Sequence, residues 1–114
     1  METYVNVLGT EYKIITGVDA KSDPMLATNS GYCDYTTKTI IVADYQSLLD
    51  NPIMGFDDPD NYVRATIRHE LIHAFLQESG LMASSWADNE EMVDWFALQF
   101  PKINKVFETL KVTK

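Results

Sequence analysis

The sequence predicts an α+β domain in which a small N-terminal antiparallel sheet packs on one central helix. Runs rich in β-branched and aromatic residues, separated by turn residues, occupy the first part of the chain. The second part has apolar residues at helical spacing between good capping residues. A length of 114 residues with 46% apolar residues suits one core. We therefore expect a single domain, residues 1–114, with about three strands and one or two helices after the central helix.

Residues 5–18 have the pattern of a β-hairpin. β-rich runs lie on both sides of Gly9 and Thr10, and a glycine-containing turn between such runs is typical of a hairpin. Residues 19–31 are polar and predict a loop with a short helical turn around Met25 and Leu26.

Residues 32–35 and 38–43 predict one or two further strands around a tight turn at residues 35–37. Residues 39–42 are β-branched nearly throughout, which indicates a strand that is buried on at least one face. Asp44 is then a capping residue for a short helix over residues 45–49, and residues 52–61 predict a surface loop.

The central helix begins at Pro59 or Asn61 and ends at about Ser79, because Gly80 is a good helix terminator. One face of this helix is an apolar stripe that we expect to pack on the sheet: Ile67, Leu71, Ala74 and Phe75. The other face is expected to border a cleft: Thr66, His69, Glu70, His73 and Gln77. A second helix over residues 90 to about 100 follows a cap at Asp88 or Asn89, and Pro101 favours the start of a third helix that reaches Leu110.

The central helix carries the motif H-E-x-x-H at residues 69–73. Residues four apart share one helical face, so His69 and His73 point the same way and can hold one Zn²⁺ at roughly 2.0–2.1 Å. Glu70 is placed to act as a general base on a zinc-bound water, as in metalloprotease-type sites. Both histidines of the chain lie in this motif.

A zinc site of this kind needs a third protein ligand, and the second helix offers acids. Glu90 and Asp94 are four apart and share one face, whereas Glu91 lies about 100° round the helix and has no partner at helical spacing. We therefore predict Glu90 as the ligand and Asp94 as the carboxylate that accepts the other ring N–H of His69. A solvated acidic helix start is the competing explanation for these acids.

The net charge limits the classes of binding partner that we expect, and the cysteine count indicates the cellular compartment. With 17 acidic and 9 basic residues the formal net charge is −8, which disfavours nucleic-acid or anionic-membrane binding. The single cysteine, Cys33, fits a reducing compartment. A lone cysteine is more often buried as a small apolar residue than bound to zinc. No apolar run is long enough to span a membrane and no secretory signal is evident, so a cytoplasmic protein is expected.

The combined motif of His69-Glu70-x-x-His73 and Glu90-x-x-x-Asp94 resembles the gluzincin pattern, the thermolysin-like H-E-x-x-H plus E-x-x-x-D arrangement. Residues 68–75 (RHELIHAF), 93–97 (VDWFA) and Pro101 resemble the small ImmA/IrrE-type metallopeptidases of phages and mobile elements. The resemblance implies a small zincin-like fold, ligands at His69, His73 and Glu90, and a peptide substrate held by an edge strand before the main helix.

One feature of large gluzincins is missing from this sequence. Those enzymes carry a further domain whose Tyr or His stabilises the oxyanion, and the sequence does not choose between Tyr32, Tyr35 and Tyr45 for this role. We expect zinc-dependent peptide-bond hydrolysis with a peptide or protein substrate. The alternatives are a non-catalytic zinc-containing peptide- or protein-binding module, and a metal-free helical interaction protein in which the motif is a coincidence.

Overall fold

A four-stranded sheet covers one side of a long helix, and a second long helix packs against the first. This arrangement comes from a computed structural model that describes residues 1–45, 58–81 and 86–114. The α+β class is as predicted. The predicted helix at residues 45–49, apart from Tyr45, and most of the predicted loop at residues 52–61 lie outside the described residues.

The sheet differs from the prediction in strand number and in strand direction. Its strands are β1 (Glu2–Val7), β2 (Thr10–Val18), β3 (Gly31–Asp34) and β4 (Thr39–Ala43). Their order is β1-β2-β4-β3, so four strands replace the expected three. The pairs β1–β2 and β3–β4 are antiparallel, whereas β2 and β4 are parallel, so the prediction of a purely antiparallel sheet is wrong.

The parallel pair follows from the path of the chain after β2. Residues 19–30 carry the chain past β2 to the far edge of the sheet, where β3 forms, and β4 then returns to lie between β2 and β3. Parallel neighbours need a crossover of about a dozen residues or more, which this connection provides. Local sequence patterns predict strands and hairpins but not this strand order.

The local turns agree closely with the sequence. The hairpin turn is formed by Leu8 (φ 50°) and Gly9 (φ 94°), and the carboxamide of Asn6 accepts a hydrogen bond from the Gly9 N–H at 2.8 Å. Left-handed backbone at both central residues matches the twist of paired strands, and glycine adopts it without steric cost. The predicted helical turn is a 3-10 helix, Pro24–Ala27, which follows Asp23 as its N-cap.

Helix α1 (Pro59–Glu78) begins and ends where capping chemistry predicts. Asp58 accepts a hydrogen bond from the Asn61 N–H at 3.1 Å, and Pro59 starts the helix where its missing N–H costs nothing. Gly80 (φ 82°) ends the helix in a Schellman motif, in which the N–H of Leu81 donates to the carbonyl of Leu76.

The apolar stripe of α1 packs on the sheet with one exception. Ala74 is fully buried, and Ile67 and Leu71 pack against the same cluster of strand residues: Val7, Tyr12, Ile14, Ile40 and Val42. Phe75 is 45% exposed, so its predicted place in the sheet-facing stripe is wrong. Phe75 is adjacent to Ala74 in sequence, about 100° round the helix, and this places it beyond the edge of the contact.

Helix α2 (Glu90–Thr109) runs through Pro101 without ending, so the predicted separate third helix does not form. A proline in a helix leaves the carbonyl four residues earlier without its N–H donor. Here that carbonyl belongs to Ala97, and the side-chain Nε of Arg68 donates to it at 2.6 Å. The substitute donor comes from α1, so the proline site is also a tie between the two helices.

Several large apolar side chains remain exposed on α2: Trp95, Phe96, Leu98, Phe100, Val106, Phe107 and Leu110. The helix is therefore packed along one side only, around the buried Val93 and Ala97. Among the described residues, no helix is both long enough and apolar enough to cross a membrane.

The carboxylate of Glu78 ties the end of α1 to the sheet, and this tie makes stability depend on acid pH. Lys38 Nζ and the Tyr12 hydroxyl each donate to Glu78 Oε2 at 2.8 Å. The hydrogen bond from Lys38, with those from Thr10 and Tyr12, lowers the pKa of Glu78 from 4.5 to about 2. A depressed folded-state pKa adds stability above the unfolded pKa, and that stability is lost as pH falls through the folded pKa.

We expect Glu78→Gln to lower the free energy of unfolding most at pH 6 and progressively less between pH 4.5 and pH 2. Gln is uncharged at every pH, whereas the Glu78 carboxylate that Lys38 stabilises becomes protonated, and so uncharged, as the pH falls towards 2. Urea denaturation at a series of pH values measures the difference from wild type, with Glu11→Gln as a control in the same sheet. A difference that stays constant from pH 6 to pH 2 would contradict this assignment.

The hydrogen bond from Arg68 to the Ala97 carbonyl predicts that the stability effects of substitutions at Arg68 and Pro101 depend on each other. Arg68→Met should destabilise the protein by about 1–3 kcal/mol, because the buried carbonyl loses its only described donor. Pro101→Ala restores a backbone N–H for the same carbonyl, so the double variant should lose less stability than the sum of the single changes. A double-mutant cycle by urea denaturation measures this, and strict additivity would argue against it.

Candidate metal centre

Helix α1 presents its polar face to a cavity beside the sheet. Glu70 and His73 are buried, each with 6% of its surface exposed, and His69 is half-buried one turn before His73. The rings of the two histidines meet edge to face with centroids 4.8 Å apart. Helical spacing thus places both imidazoles on one side of α1, as the sequence predicts.

The first turn of α2 brings two carboxylates to these imidazoles. Asn89 caps the helix by accepting a hydrogen bond from the Met92 N–H at 3.0 Å, which sets Glu90 as the first helical residue. Asp94 follows one turn later on the same face. Its Oδ1 lies 2.6 Å from Nδ1 of His69, the contact that the sequence predicts for this pair.

Three candidate ligand groups converge at one point. His73 Nε2 lies 2.8 Å from Glu90 Oε1, and His69 Nε2 lies 3.1 Å from Glu90 Oε2. The two Nε2 atoms are themselves 3.1 Å apart. Ligands of a tetrahedral zinc at about 2.05 Å are separated by about 3.3 Å, so a small outward movement of the three groups would admit an ion.

The proton arrangement favours a cation at this point. A carboxylate can only accept, so the contact with Asp94 places the proton of His69 on Nδ1 and leaves a lone pair on Nε2. That lone pair faces a carboxylate oxygen of Glu90, and two acceptors at 3.1 Å repel each other unless a proton or a metal ion lies between them. The chemistry of the donor set therefore fits a divalent metal.

A second carboxylate, Glu70, also lies near the imidazoles, and two triads must be compared. One ligand atom from each of His69, Glu70 and His73 lies within 4.8 Å of the others. Glu70 Oε1 is 3.8 Å from His69 Nε2, however, which is longer than either contact made by Glu90. Glu90 is therefore the carboxylate that contacts both Nε2 atoms, and Glu70 lies beside them.

Glu70 has the environment of an acid–base group. Its Oε2 is buried without a hydrogen-bond partner among the described residues. Burial, together with the charges of Glu90 and Asp94 and against the opposing effect of His69, raises the pKa of Glu70 to about 7. Burial likewise lowers the pKa of His73, which favours the neutral imidazole that a metal requires.

The competing ligands proposed from sequence, Glu91 and Cys33, make none of the described contacts with the two imidazoles. Glu91 is exposed, and the described ion pairs of both imidazoles are with other carboxylates. Cys33 packs against the main core, and burial raises the pKa of its thiol to about 12. Its sulfur is not in the described group of converging ligand atoms.

The site opens into a cavity of about 900 Å³ between β3 and the two helices. Its wall opposite α1 is formed by β3 and the residues on either side of it: Thr28, Asn29, Ser30, Gly31, Tyr32, Cys33 and Tyr35. A Cβ at Gly31 would lie 2.9 Å from Thr66 Cγ2 and 3.0 Å from the Ile41 carbonyl oxygen. The missing side chain thus lets β3 approach α1 beside Glu70.

The structure brings together the five polar side chains that the sequence predicted to share one site, and it has three neighbouring features that were missed. The contact of Arg68 with α2, the close approach at Gly31, and the hydrogen bonds by which the Asp34 side chain holds the predicted turn were not predicted. A proline four residues after Ala97 was an available signal for the first. Comparisons with protein-family models, curated proteins and solved structures give no match to this chain.

We expect the purified protein to bind one Zn²⁺ and Glu90→Gln to weaken that binding by about 100-fold or more, because a ligand is lost. Asp94→Asn should weaken it by about 10–100-fold through the orientation of His69. Competition with a chromophoric chelator measures both affinities. Glu91→Gln is the matched control, and a larger loss in this control than in Glu90→Gln would show that the wrong acid has been assigned.

Proposed function

We propose that this chain is a zinc-dependent peptidase. The observation that carries the proposal is the pairing of two different carboxylates with one pair of imidazoles. Glu90 is 67% exposed and bridges both Nε2 atoms, whereas Glu70 is buried, with an oxygen that lacks a partner among the described residues. A purely structural zinc site is normally closed by four protein ligands, whereas the described residues bring three to this site, which faces a cavity.

The reaction divides into roles that the described residues can fill. When bound, zinc would polarise the scissile carbonyl and make water a stronger acid. His69, His73 and Glu90 would hold it, and Asp94 would fix the tautomer of His69. Glu70 accepts a proton from the attacking water and passes it to the leaving amine, for which a pKa near neutrality is well suited.

The substrate in this proposal is an extended peptide. β3 is an edge strand of the sheet, and its outer side pairs with no strand of the described residues. It also forms a wall of the cavity that contains the imidazoles. A peptide added to β3 as a fifth strand would therefore pass over Glu70, with main-chain hydrogen bonds providing affinity.

The gluzincin resemblance supports the same proposal from a different direction. A sheet beside a helix that bears H-E-x-x-H, followed by a helix that bears the third ligand, is the small zincin-like arrangement expected for an ImmA/IrrE-type metallopeptidase. The observed elements are compatible with it: a four-stranded sheet, α1 with His69 and His73, and α2 with Glu90. We propose that the chain has this fold.

We expect Glu70→Gln to retain zinc and to abolish peptide hydrolysis, because Gln is nearly isosteric but cannot accept the proton. Hydrolysis of a quenched-fluorescent peptide library should fall by about 100-fold or more, while zinc content by atomic emission is unchanged. Glu91→Gln, which alters an exposed acid of the neighbouring helix, is the control and should retain both.

Other results would change the assignment in defined ways. Equal hydrolysis by Glu70→Gln and wild type would remove Glu70 from the acid–base role. A wild-type protein that binds zinc, cleaves no library peptide and unfolds on chelation would indicate instead a binding module stabilised by its metal, because structural zinc contributes folding free energy.

A further inference from the structure

Peptide hydrolysis moves negative charge onto the scissile carbonyl oxygen, and a hydrogen-bond donor aimed at that oxygen stabilises the transition state. We propose that the hydroxyl of Tyr35 is this donor in the present protein. The inference rests on the proposed peptidase function and adds a catalytic residue to it. The hydroxyl keeps its proton throughout and donates only a hydrogen bond.

Three tyrosines line the cavity, namely Tyr32, Tyr35 and Tyr62, and Tyr45 is not among its described lining residues. The hydroxyl of Tyr32 donates to Asp23 Oδ2 at 2.6 Å, so it is already engaged away from the imidazoles. Tyr62 packs in the small apolar cluster with Leu26 and Ala43. Tyr35 is half-buried and lines the cavity with His69 and Glu70.

Gly31 and Cys33 form the α1-facing side of β3, and Tyr35 follows this strand. Successive residues of an extended strand point to opposite faces, so positions 31 and 33 share one face. Gly31 lies against Thr66 and Glu70 of α1, and Cys33 packs on the core beneath that helix. Tyr35 is the first turn residue after β3, and it lines the cavity together with Glu70.

The backbone that carries Tyr35 is held by a side chain next to it. Asp34 Oδ1 accepts hydrogen bonds from the Thr36 N–H at 3.0 Å and from the Thr36 hydroxyl at 2.6 Å. This is an Asx-type turn that spans Tyr35 and limits its backbone freedom. Asp34 is thus a positioning residue for the phenol.

The phenol of Tyr35 is a reliable donor at neutral pH. Burial is the largest cause that raises the pKa of Tyr35 to about 12, and the nearby carboxylates of Glu70, Glu90 and Asp88 add to it. These three carboxylates line the same cavity as Tyr35.

The test compares Tyr35→Phe with wild type on the library peptide that wild type cleaves best. We expect kcat to fall by about 100-fold with KM within about threefold and zinc affinity unchanged, since one oxyanion donor is lost. A second measurement is calorimetric binding of a peptide phosphonate of the same sequence, whose tetrahedral anion mimics the transition state. Its affinity should fall in Tyr35→Phe, whereas Tyr4→Phe, an exposed tyrosine on β1, should match wild type.

The outcomes separate this inference from the proposed function. If wild type cleaves peptides and Glu70→Gln does not, the peptidase function stands. If Tyr35→Phe then has the same kcat and the same phosphonate affinity as wild type, only the role of Tyr35 is overturned. A rise in KM at constant kcat also overturns it, because Tyr35 would then only bind substrate. If wild type cleaves no peptide and binds no phosphonate, both proposals fail.

The positioning role of Asp34 has its own readout. Asp34→Ala removes the acceptor of both Thr36 hydrogen bonds and should lower kcat by about 10-fold, in the same direction as Tyr35→Phe. Asp34→Asn keeps an oxygen acceptor and should restore kcat. An equal loss in Ala and Asn variants would contradict an Asx turn as the means of positioning.

Discussion

The carboxylates of α2 reach the imidazoles of α1 because the two helices approach each other closely at Ala97. Ala97 is 2% exposed, and its side chain is only a methyl group. The backbone carbonyl of Ala97 has no helical N–H donor because residue 101 is a proline, and it accepts a hydrogen bond from Arg68 of α1 instead. Arg68 is the residue before His69, so the link that holds the helices together lies directly beside the candidate ligands.

The different environments of Glu70 and Glu90 follow from this helix contact. Glu90 is the first residue of α2 after the Asn89 cap, and 67% of its side chain is exposed. Glu70 lies on the inner face of α1, where burial disfavours its charge. Two carboxylates within reach of one imidazole pair thereby acquire properties suited to a ligand and to a proton carrier.

The sheet contributes the opposite wall of the cavity through its edge strand. β3 can lie beside α1 because Gly31 has no side chain to separate them, and the hairpin to β4 places Tyr35 at the rim of the cavity. Since β4 rather than β3 pairs with β2, the strand beside the cavity is the one with a free outer side among the described strands. Strand order and candidate substrate binding are therefore linked.

The sequence by itself determined the local features: the hairpin, the caps of both helices and the spacing of His69, Glu70, His73, Glu90 and Asp94. These depend on residues within about one helical turn or one tight turn of each other, where propensity and periodicity decide the outcome. The strand order, the continuous α2 through Pro101 and the choice among the tyrosines depend on contacts between residues far apart in the chain. Only the tertiary structure could decide them. The donor that Arg68 supplies to α2 and the acceptor that Asp23 supplies to Tyr32 do not change the pattern of apolar and polar residues around Pro101 or Tyr32.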